Sequence, residues 1–186
     1  MLRLLTLVCV AMLCATAASA QAAHNAGADD FDWEVGLWDT HVEVRGPLDA
    51  DAPWTTFEGT SEVRPLSRGR ANTVDLSLTD GAGNGIEGVA LRLFNPQSGQ
   101  WSINFASMRD GTLTAPVYGG FTGGRGEFHG QDMVDGRAVI VRFVISDVTA
   151  DSARFVQSWS ADGGHTWIDN WIATDTRRAA RSGGAH

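Results

Sequence analysis

Four polar residues interrupt apolar stretches of the chain and are the first candidates for a binding site: Arg92, Asn104, Arg142 and Gln157. If these side chains point into the interior of the fold, two guanidinium groups would lie beside two amides in one cavity. Such a cavity suits an acidic or oxygen-rich small molecule, because both groups donate hydrogen bonds to oxygen. If they point outward, they are ordinary solvated positions. A one-residue change of strand register exchanges the two outcomes, so both stay open.

Histidine is the next residue type that could bind a ligand, and His129 is the candidate of most interest. His24 lies in a polar N-terminal segment, His41 on the polar face of a predicted strand, and His165 in a predicted turn. In an apolar pocket His129 would suit haem ligation, whereas at the surface it would be an ordinary hydrogen-bonded histidine, the commoner case. No two histidines have metal-ligand spacing, so we expect no metal and no cofactor.

Motifs for covalent or phosphate chemistry are absent. The sequence has no G-x-S-x-G elbow and no phosphate-binding loop, and its two cysteines lie within the first twenty residues. An enzyme of the isomerase or cyclase kind stays open as an alternative, since one or two polar groups can suffice for such a reaction. It predicts that Arg92, with Arg142 or His129, converges with Tyr118 in one pocket. No catalytic residue is assigned.

The elements that must position these residues are β-strands. Stretches with alternating or β-rich character recur at short spacing and end at glycine, proline, asparagine or aspartate. They predict ten strands, at 38–45, 55–64, 72–79, 85–94, 100–108, 115–121, 126–133, 138–147, 153–160 and 166–176. The one plausible helical turn, at 31–37, would form a short N-terminal cap on the first strand.

The connections between these strands have the composition of hairpin turns, such as the N-P-Q-S-G segment at 95–99 and the D-G pairs at 80–81, 110–111 and 135–136. Hairpins make neighbouring strands antiparallel. An open sheet of ten strands would leave two exposed edges, and closure removes them. We therefore predict an all-β fold, a single antiparallel up-and-down barrel of about ten strands with a short N-terminal helical cap.

One predicted strand differs from the rest in its composition. Residues 138–145 are apolar at every position except Arg142, which is typical of a strand that is covered on both faces. A loop, a helix or a second copy of the chain would provide the outer cover. A structural or interaction module that forms a homodimer is therefore a further hypothesis.

The termini predict export and a single domain. Residues 1–20 combine Arg3, an apolar run and the small residues Ala18, Ser19 and Ala20, the pattern of a cleaved signal peptide, although a membrane anchor is the competing interpretation. We expect a flexible segment at 21–30, the barrel domain at 31–176, a disordered tail at 177–186, and a periplasmic or secreted protein that does not insert into the membrane after cleavage.

Charge limits the partners of the mature protein. Removing Arg3 leaves 13 basic residues, all arginine, against 22 acidic ones, a net charge of −9. A domain this acidic is repelled by phosphate backbones and by anionic lipid headgroups, so we expect no nucleic-acid partner.

The segment F-D-W-E-V-G-L-W-D at 31–39 resembles the G-x-W opening of lipocalins and related calycins. It is still more similar to a group of uncharacterised exported bacterial proteins that open F-D-x-x-x-G-x-W-D, and the likeness extends over most of 31–177. The resemblance implies a lipocalin-like barrel in which Trp38 closes the floor and an arginine from a late strand, Arg177 or Arg178, stacks on it. The bacterial group implies no activity.

A second motif lies near the C-terminus. Residues 160–167, S-A-D-G-G-H-T-W, resemble the Asp-box of sialidase propeller blades, in which the aspartate caps backbone N–H groups of a hairpin and the tryptophan packs beneath it. The chain has one copy and no blade-length repeat. We interpret this segment as a structural turn, with glycan binding as the alternative.

Together these features favour an exported small-molecule-binding barrel with an apolar cavity and a few polar groups, whose ligand is a small apolar or acidic molecule. The ligand-binding candidates are Trp38, Arg92, Asn104, His129, Arg142 and Gln157.

Overall fold

The computed structural model describes residues 26–179. The chain forms ten strands, β1 (Gly36–Val44), β2 (Thr55–Leu66), β3 (Ala71–Thr79), β4 (Gly85–Asn95), β5 (Gln100–Ser107), β6 (Val117–Thr122), β7 (Arg125–Val134), β8 (Arg137–Ser146), β9 (Ser152–Ser160) and β10 (Ile168–Arg177). Two short 3-10 helices, Asp32–Glu34 and Ser67–Gly69, precede β1 and β3. No helix in this part of the chain is long and apolar enough to cross a membrane.

The ten strands form one closed barrel, in which each strand pairs with its sequence neighbours and β1 pairs with β10. All of these pairs are antiparallel. The predicted up-and-down barrel is confirmed, and each predicted strand corresponds to one observed strand. Closure gives every strand two hydrogen-bonded neighbours, so no edge is left unpaired.

Most strand boundaries differ from the prediction by one or two residues, and two of these differences have a local cause. β6 begins at Val117 rather than at residue 115, because Pro116 has no N–H to contribute to the ladder. β10 begins at Ile168 rather than at residue 166, because Thr166 and Trp167 belong to the preceding turn.

The N-terminal end of β1 marks the closed end of the barrel. The 3-10 helix Asp32–Glu34 lies there, and we call residues 31–35 the cap. Phe31, which is 1% exposed, meets the Trp101 ring edge-on with 5.0 Å between the ring centroids, and Phe94 and Phe128 join the same cluster. The preceding turn also packs against this cluster, since Trp101 Nε1 donates to Gly27 O at 2.8 Å. Aromatic packing therefore seals this end.

The outer face of β8 bears on the homodimer hypothesis. Val141 and Phe143 point inward, so the outward side chains are those of Ala138, Ile140, Arg142 and Val144. Val144 is buried within the protein itself, and Arg142 lies against the ring of Trp167. Neighbouring side chains thus supply part of the outer cover that the apolar sequence of this strand predicted. The homodimer stays a prediction.

The predicted signal peptide at 1–20 and the first half of the segment 21–30 lie outside the described residues, as does the tail beyond residue 179. Residues 26–30 form the packed turn described above, and Arg177, the first residue of the predicted tail, is the last residue of β10.

Candidate functional site

The barrel surrounds a cavity of about 350 Å³ above the cap, which is partly open to solvent. Inward-facing side chains from most of the strands line it, and apolar groups predominate. Six of the lining residues are aromatic: Trp33, Phe105, Phe143, Phe155, Trp159 and Trp171. Polar residues also line the cavity away from the floor: Thr114, Gln131 and Asp132. The cavity is therefore a mostly apolar space with a closed floor.

Trp38 and Arg177 hold the floor in place. The Arg177 Cζ lies 4.1 Å from the centroid of the Trp38 ring, so Arg177 is the late-strand arginine that the lipocalin resemblance implied. Arg178 instead forms an ion pair with Asp39 on the outer surface. Trp38 Nε1 donates to Glu34 O at 2.6 Å, which fastens the cap to β1. Trp38 is 1% exposed and packs beneath the cavity rather than lining it.

Glu34 and Arg92 form an ion pair at the floor. Arg92 Nη2 donates to Glu34 Oε1 at 3.1 Å, and Nη1 donates to Oε2. The two side chains are only 10% and 14% exposed, and the guanidinium also lies 4.3 Å from the centroid of the Phe31 ring. The two Nη atoms of Arg92 each donate to one carboxylate oxygen of Glu34. The positive and negative charges therefore compensate each other within the pair.

Asp175 is a second acidic group in the cavity. Thr40 Oγ1 donates to Asp175 Oδ1 at 2.6 Å, and Ser61 Oγ lies 2.9 Å from the same Thr40 oxygen. Burial raises the pKa of the Asp175 carboxyl to about 6, and the negative charge of Glu34 acts in the same direction, against the opposing effects of Thr40, Arg92 and Ser61. At neutral pH Asp175 is therefore largely ionised, but it takes up a proton far more readily than an exposed aspartate.

Gln157 also faces inward. Its Nε2 donates to Asn170 Oδ1 at 3.1 Å, and Trp159 Nε1 donates to the same oxygen. Asn170 lies at a bulge in β10, between the pairs formed by Asp169 and Trp171. The amide of Gln157 is therefore engaged in holding this bulge while its side chain contributes to the cavity wall.

The remaining three candidates lie on the outside of the barrel. Asn104 donates from Nδ2 to Thr114 O at 2.9 Å and so fixes the connection from β5 to β6. His129 and Arg142 are cross-strand partners whose inward neighbours are Phe128, Val141 and Phe143. Because side chains alternate along a strand, both residues point away from the cavity.

These outward residues form a surface cluster around Trp167. The Arg142 Cζ lies 4.2 Å from the Trp167 ring centroid, and the His129 ring meets the same tryptophan edge-on at 6.0 Å. His129 Nε2 also contacts Glu127 Oε1 at 2.9 Å, and this hydrogen bond lowers the pKa of the Glu127 carboxyl. The His129 side chain is 47% exposed, which is unlike the apolar pocket that haem ligation requires.

The pocket proposed for an isomerase or cyclase is not formed as the sequence suggested. Arg92 lies inside the barrel, whereas Arg142, His129 and the exposed Tyr118 lie outside it. The cavity therefore has one arginine rather than a pair. In the described part of the chain, no group of three or more histidine, cysteine, aspartate or glutamate side chains is arranged to hold a metal ion.

The Asp-box segment forms a tightly hydrogen-bonded turn. Asp162 Oδ1 accepts from Thr166 N at 2.9 Å, and Oδ2 accepts from Thr166 Oγ1 at 2.7 Å. Ser160 Oγ donates to Asp162 and accepts from Gly164 N at 2.8 Å. These bonds, those from Thr166 first, hold the pKa of Asp162 well below its usual range. The contacts are those of a structural hairpin.

Sequence reasoning missed the three carboxyl groups of the cavity, Glu34, Asp132 and Asp175, and the hydroxyls of Thr40 and Ser61. Glu34 follows Trp33 in the cap, which is a 3-10 helix. The alternation of side chains along a strand therefore cannot indicate which way the Glu34 side chain points. Thr40 did lie on the less polar side of the predicted first strand, with Trp38 and Val42, which was a usable signal.

No protein-family model matches the chain, and no curated protein matches it. Among solved structures the chain is similar to the S-type phycobiliprotein lyase CPES from Guillardia theta, at 11% identity over 81% of this chain and 92% of that one, with a TM-score of 0.57. It is also similar to EF1p2_mFAP2b bound to DFHBI, at 12% identity over 82% of this chain and 99% of that one, with a TM-score of 0.46. The likeness to the lyase supports the barrel fold.

Proposed function

We propose that the barrel binds one small, largely apolar molecule in its interior. The observation that carries this proposal is the cavity of about 350 Å³ that the strands surround. Protein interiors pack as densely as organic crystals, so a concave, mostly apolar space of this size is typical of a ligand site rather than of a packed core. Its volume lies at the lower end of the range for ligand pockets, roughly 300 to 1,000 Å³.

The charges inside the barrel favour an apolar ligand over an acidic one. An acidic ligand was expected if Arg92 and Arg142 both faced inward, but Arg142 faces outward and Arg92 is already bound by Glu34. A carboxylate or phosphate in the cavity would also approach Asp175. Repulsion between like charges is strong in a poorly hydrated space.

Filling the cavity tests this function. Ala90 lines the cavity, and Ala138 is an exposed residue on the outer face of β8, so Ala90→Phe and Ala138→Phe add the same ring inside and outside the barrel. N-phenyl-1-naphthylamine, a neutral apolar dye, is titrated into each protein and its fluorescence recorded. We expect saturable binding to the wild type and Ala138→Phe, and at least ten-fold weaker binding to Ala90→Phe.

Circular dichroism and thermal unfolding establish that both variants fold. Equal dye affinity in all three folded proteins would place the dye on the surface and overturn the proposal, as would the absence of saturable binding to the wild type.

Export is part of the same proposal, and it rests on residues 1–20. Expression of the full chain in a Gram-negative host, followed by intact-mass measurement of the periplasmic fraction, tests it. A mass that lacks residues 1–20 supports export with cleavage. Full-length protein confined to the cytoplasm would contradict it.

A further inference from the structure

Within residues 26–179, the carboxyl of Asp175 has no cationic side chain as an ion-pair partner. Among the described residues, no arginine or histidine forms an ion pair with it. Arg92 is close enough to favour its ionisation, but both Nη atoms of that guanidinium are bound to Glu34. Arg177, two residues further along β10, donates to Val35 O and Trp33 O over the Trp38 ring. The ionised carboxylate is therefore compensated first by the hydroxyl of Thr40, and the charge of Arg92 acts on it without a direct ion pair.

The strand neighbours of Asp175 have small side chains. Its cross-strand neighbours are Ala153 on β9 and Thr40 on β1, and Ala173 is the next inward residue on β10. Asp175 itself lines the cavity and is half-buried rather than fully enclosed. A carboxylate with such short neighbours is accessible from the cavity to a group about the size of an ammonium ion.

The charges of the whole cavity have the same sign as Asp175. The ionisable side chains that point into it are three acidic, Glu34, Asp132 and Asp175, and one basic, Arg92. Arg154 lies between the inward Ala153 and Phe155, so its side chain points away from the cavity. Three acidic groups against one basic group give a net charge of −2 when all four are ionised, which favours a ligand with a positive charge.

We propose that the natural ligand is an organic amine whose ammonium group forms an ion pair with Asp175 while its apolar body fills the aromatic part of the cavity. This inference deepens the proposed function and rests on it. An ammonium donates charge-assisted hydrogen bonds to a carboxylate, and the faces of tryptophan and phenylalanine rings attract a cation as well as apolar groups. A neutral ligand of the same shape keeps the apolar contact with the rings but has neither the charge-assisted hydrogen bond nor the cation–π attraction.

The inference predicts a characteristic pH dependence. Burial and the charge of Glu34 raise the pKa of Asp175 to about 6, so its carboxylate form is depleted in acid. An aliphatic amine stays protonated throughout this range. Affinity for an amine is therefore expected to rise between pH 5 and pH 7.5, whereas affinity for a neutral analogue is not.

Three probes of one shape and different charge test the inference: 2-(1-naphthyl)ethylamine, 2-(1-naphthyl)ethanol and 1-naphthylacetic acid. Isothermal titration calorimetry measures their affinities for the wild type, for Asp175→Asn, and for Asp39→Asn, which removes an outward carboxyl on β1. For the wild type and Asp39→Asn we expect the amine to bind at least ten-fold more tightly than the alcohol, and the acid more weakly than both. For Asp175→Asn we expect amine and alcohol to bind within about three-fold of each other.

The outcomes separate this inference from the function on which it rests. If the alcohol binds the wild type as tightly as the amine, or if Asp175→Asn keeps the preference for the amine, the ammonium site is wrong and the apolar binding function stands. If none of the three probes shows saturable binding, the binding function fails and the ammonium site with it.

Discussion

Arg177 lies over the indole of Trp38, with its Cζ 4.1 Å from the ring centroid, and joins the last strand of the barrel to the first. The same guanidinium donates to Val35 O and Trp33 O, and Trp38 donates to Glu34 O. Three consecutive carbonyls of the cap are thus held by two side chains. This arrangement places the side chains of Trp33 and Glu34 against the cavity. The cap therefore both closes the floor of the barrel and forms part of the wall of the site.

Replacing Arg177 by leucine is expected to lower the free energy of unfolding by about 3 kcal/mol, because three hydrogen bonds and a cation–π contact are lost. Arg178→Leu is the matched control. It removes only an exposed ion pair with Asp39 and is expected to change stability little. Urea unfolding followed by tryptophan fluorescence measures both variants. Equal losses in the two would show that the cap does not depend on Arg177.

Removing one partner of the buried Glu34–Arg92 pair leaves the other charge without compensation. Glu34→Leu alone is expected to lower the free energy of unfolding by about 3 kcal/mol. Glu34→Leu combined with Arg92→Met is expected to lower it by less than either single change, because neither charge of the pair then remains. The three variants and the wild type complete a double-mutant cycle by urea unfolding. If the losses of unfolding free energy in the two single variants add up to the loss in the double variant, the two side chains act independently.

The strands could be predicted from the sequence, but the direction of several side chains could not. Arg92 and Arg142 each lie between two apolar residues, so the local sequence is similar at both positions. Only the register of the closed barrel places Arg92 inside and Arg142 outside. For Asp175 the obstacle is the bulge at Asn170. Ile168 pairs with the inward Trp159, so uninterrupted alternation from Ile168 would place Asp175 on the outer face.

The raised pKa of Asp175 predicts how stability changes with pH. The folded protein holds this proton up to about pH 6, whereas the unfolded chain releases it near pH 3.8. Between these values the folded state binds more protons, so stability falls as pH rises, by up to about 3 kcal/mol in total, and then levels off.

The difference between wild type and Asp175→Asn isolates this effect from that of the other carboxyls. Urea unfolding at intervals from pH 4 to pH 7.5 is expected to show the wild type losing stability relative to the variant as pH increases. A constant difference across this range would contradict a raised pKa at Asp175.

Close approach of β2 and β3 depends on Gly59. A Cβ atom at this position would lie 2.0 Å from Ser77 O, which belongs to the paired backbone and cannot move aside cheaply. Gly59→Ala is expected to lower the free energy of unfolding by about 2 kcal/mol or more. Gly81→Ala, where a Cβ would meet nothing within 4 Å, is the control and is expected to be nearly neutral. Thermal unfolding of both variants measures the difference, and similar melting temperatures would count against this packing.

Native mass spectrometry of the protein purified from the cells that produce it shows directly whether the cavity holds a ligand. We expect one small molecule per wild-type and Ala138→Phe chain, none on Ala90→Phe from the same cells, and release of the molecule from Asp175→Asn. Wild-type protein that carries no small molecule, or an equal load on Ala90→Phe, would contradict the claim that the cavity is a binding site.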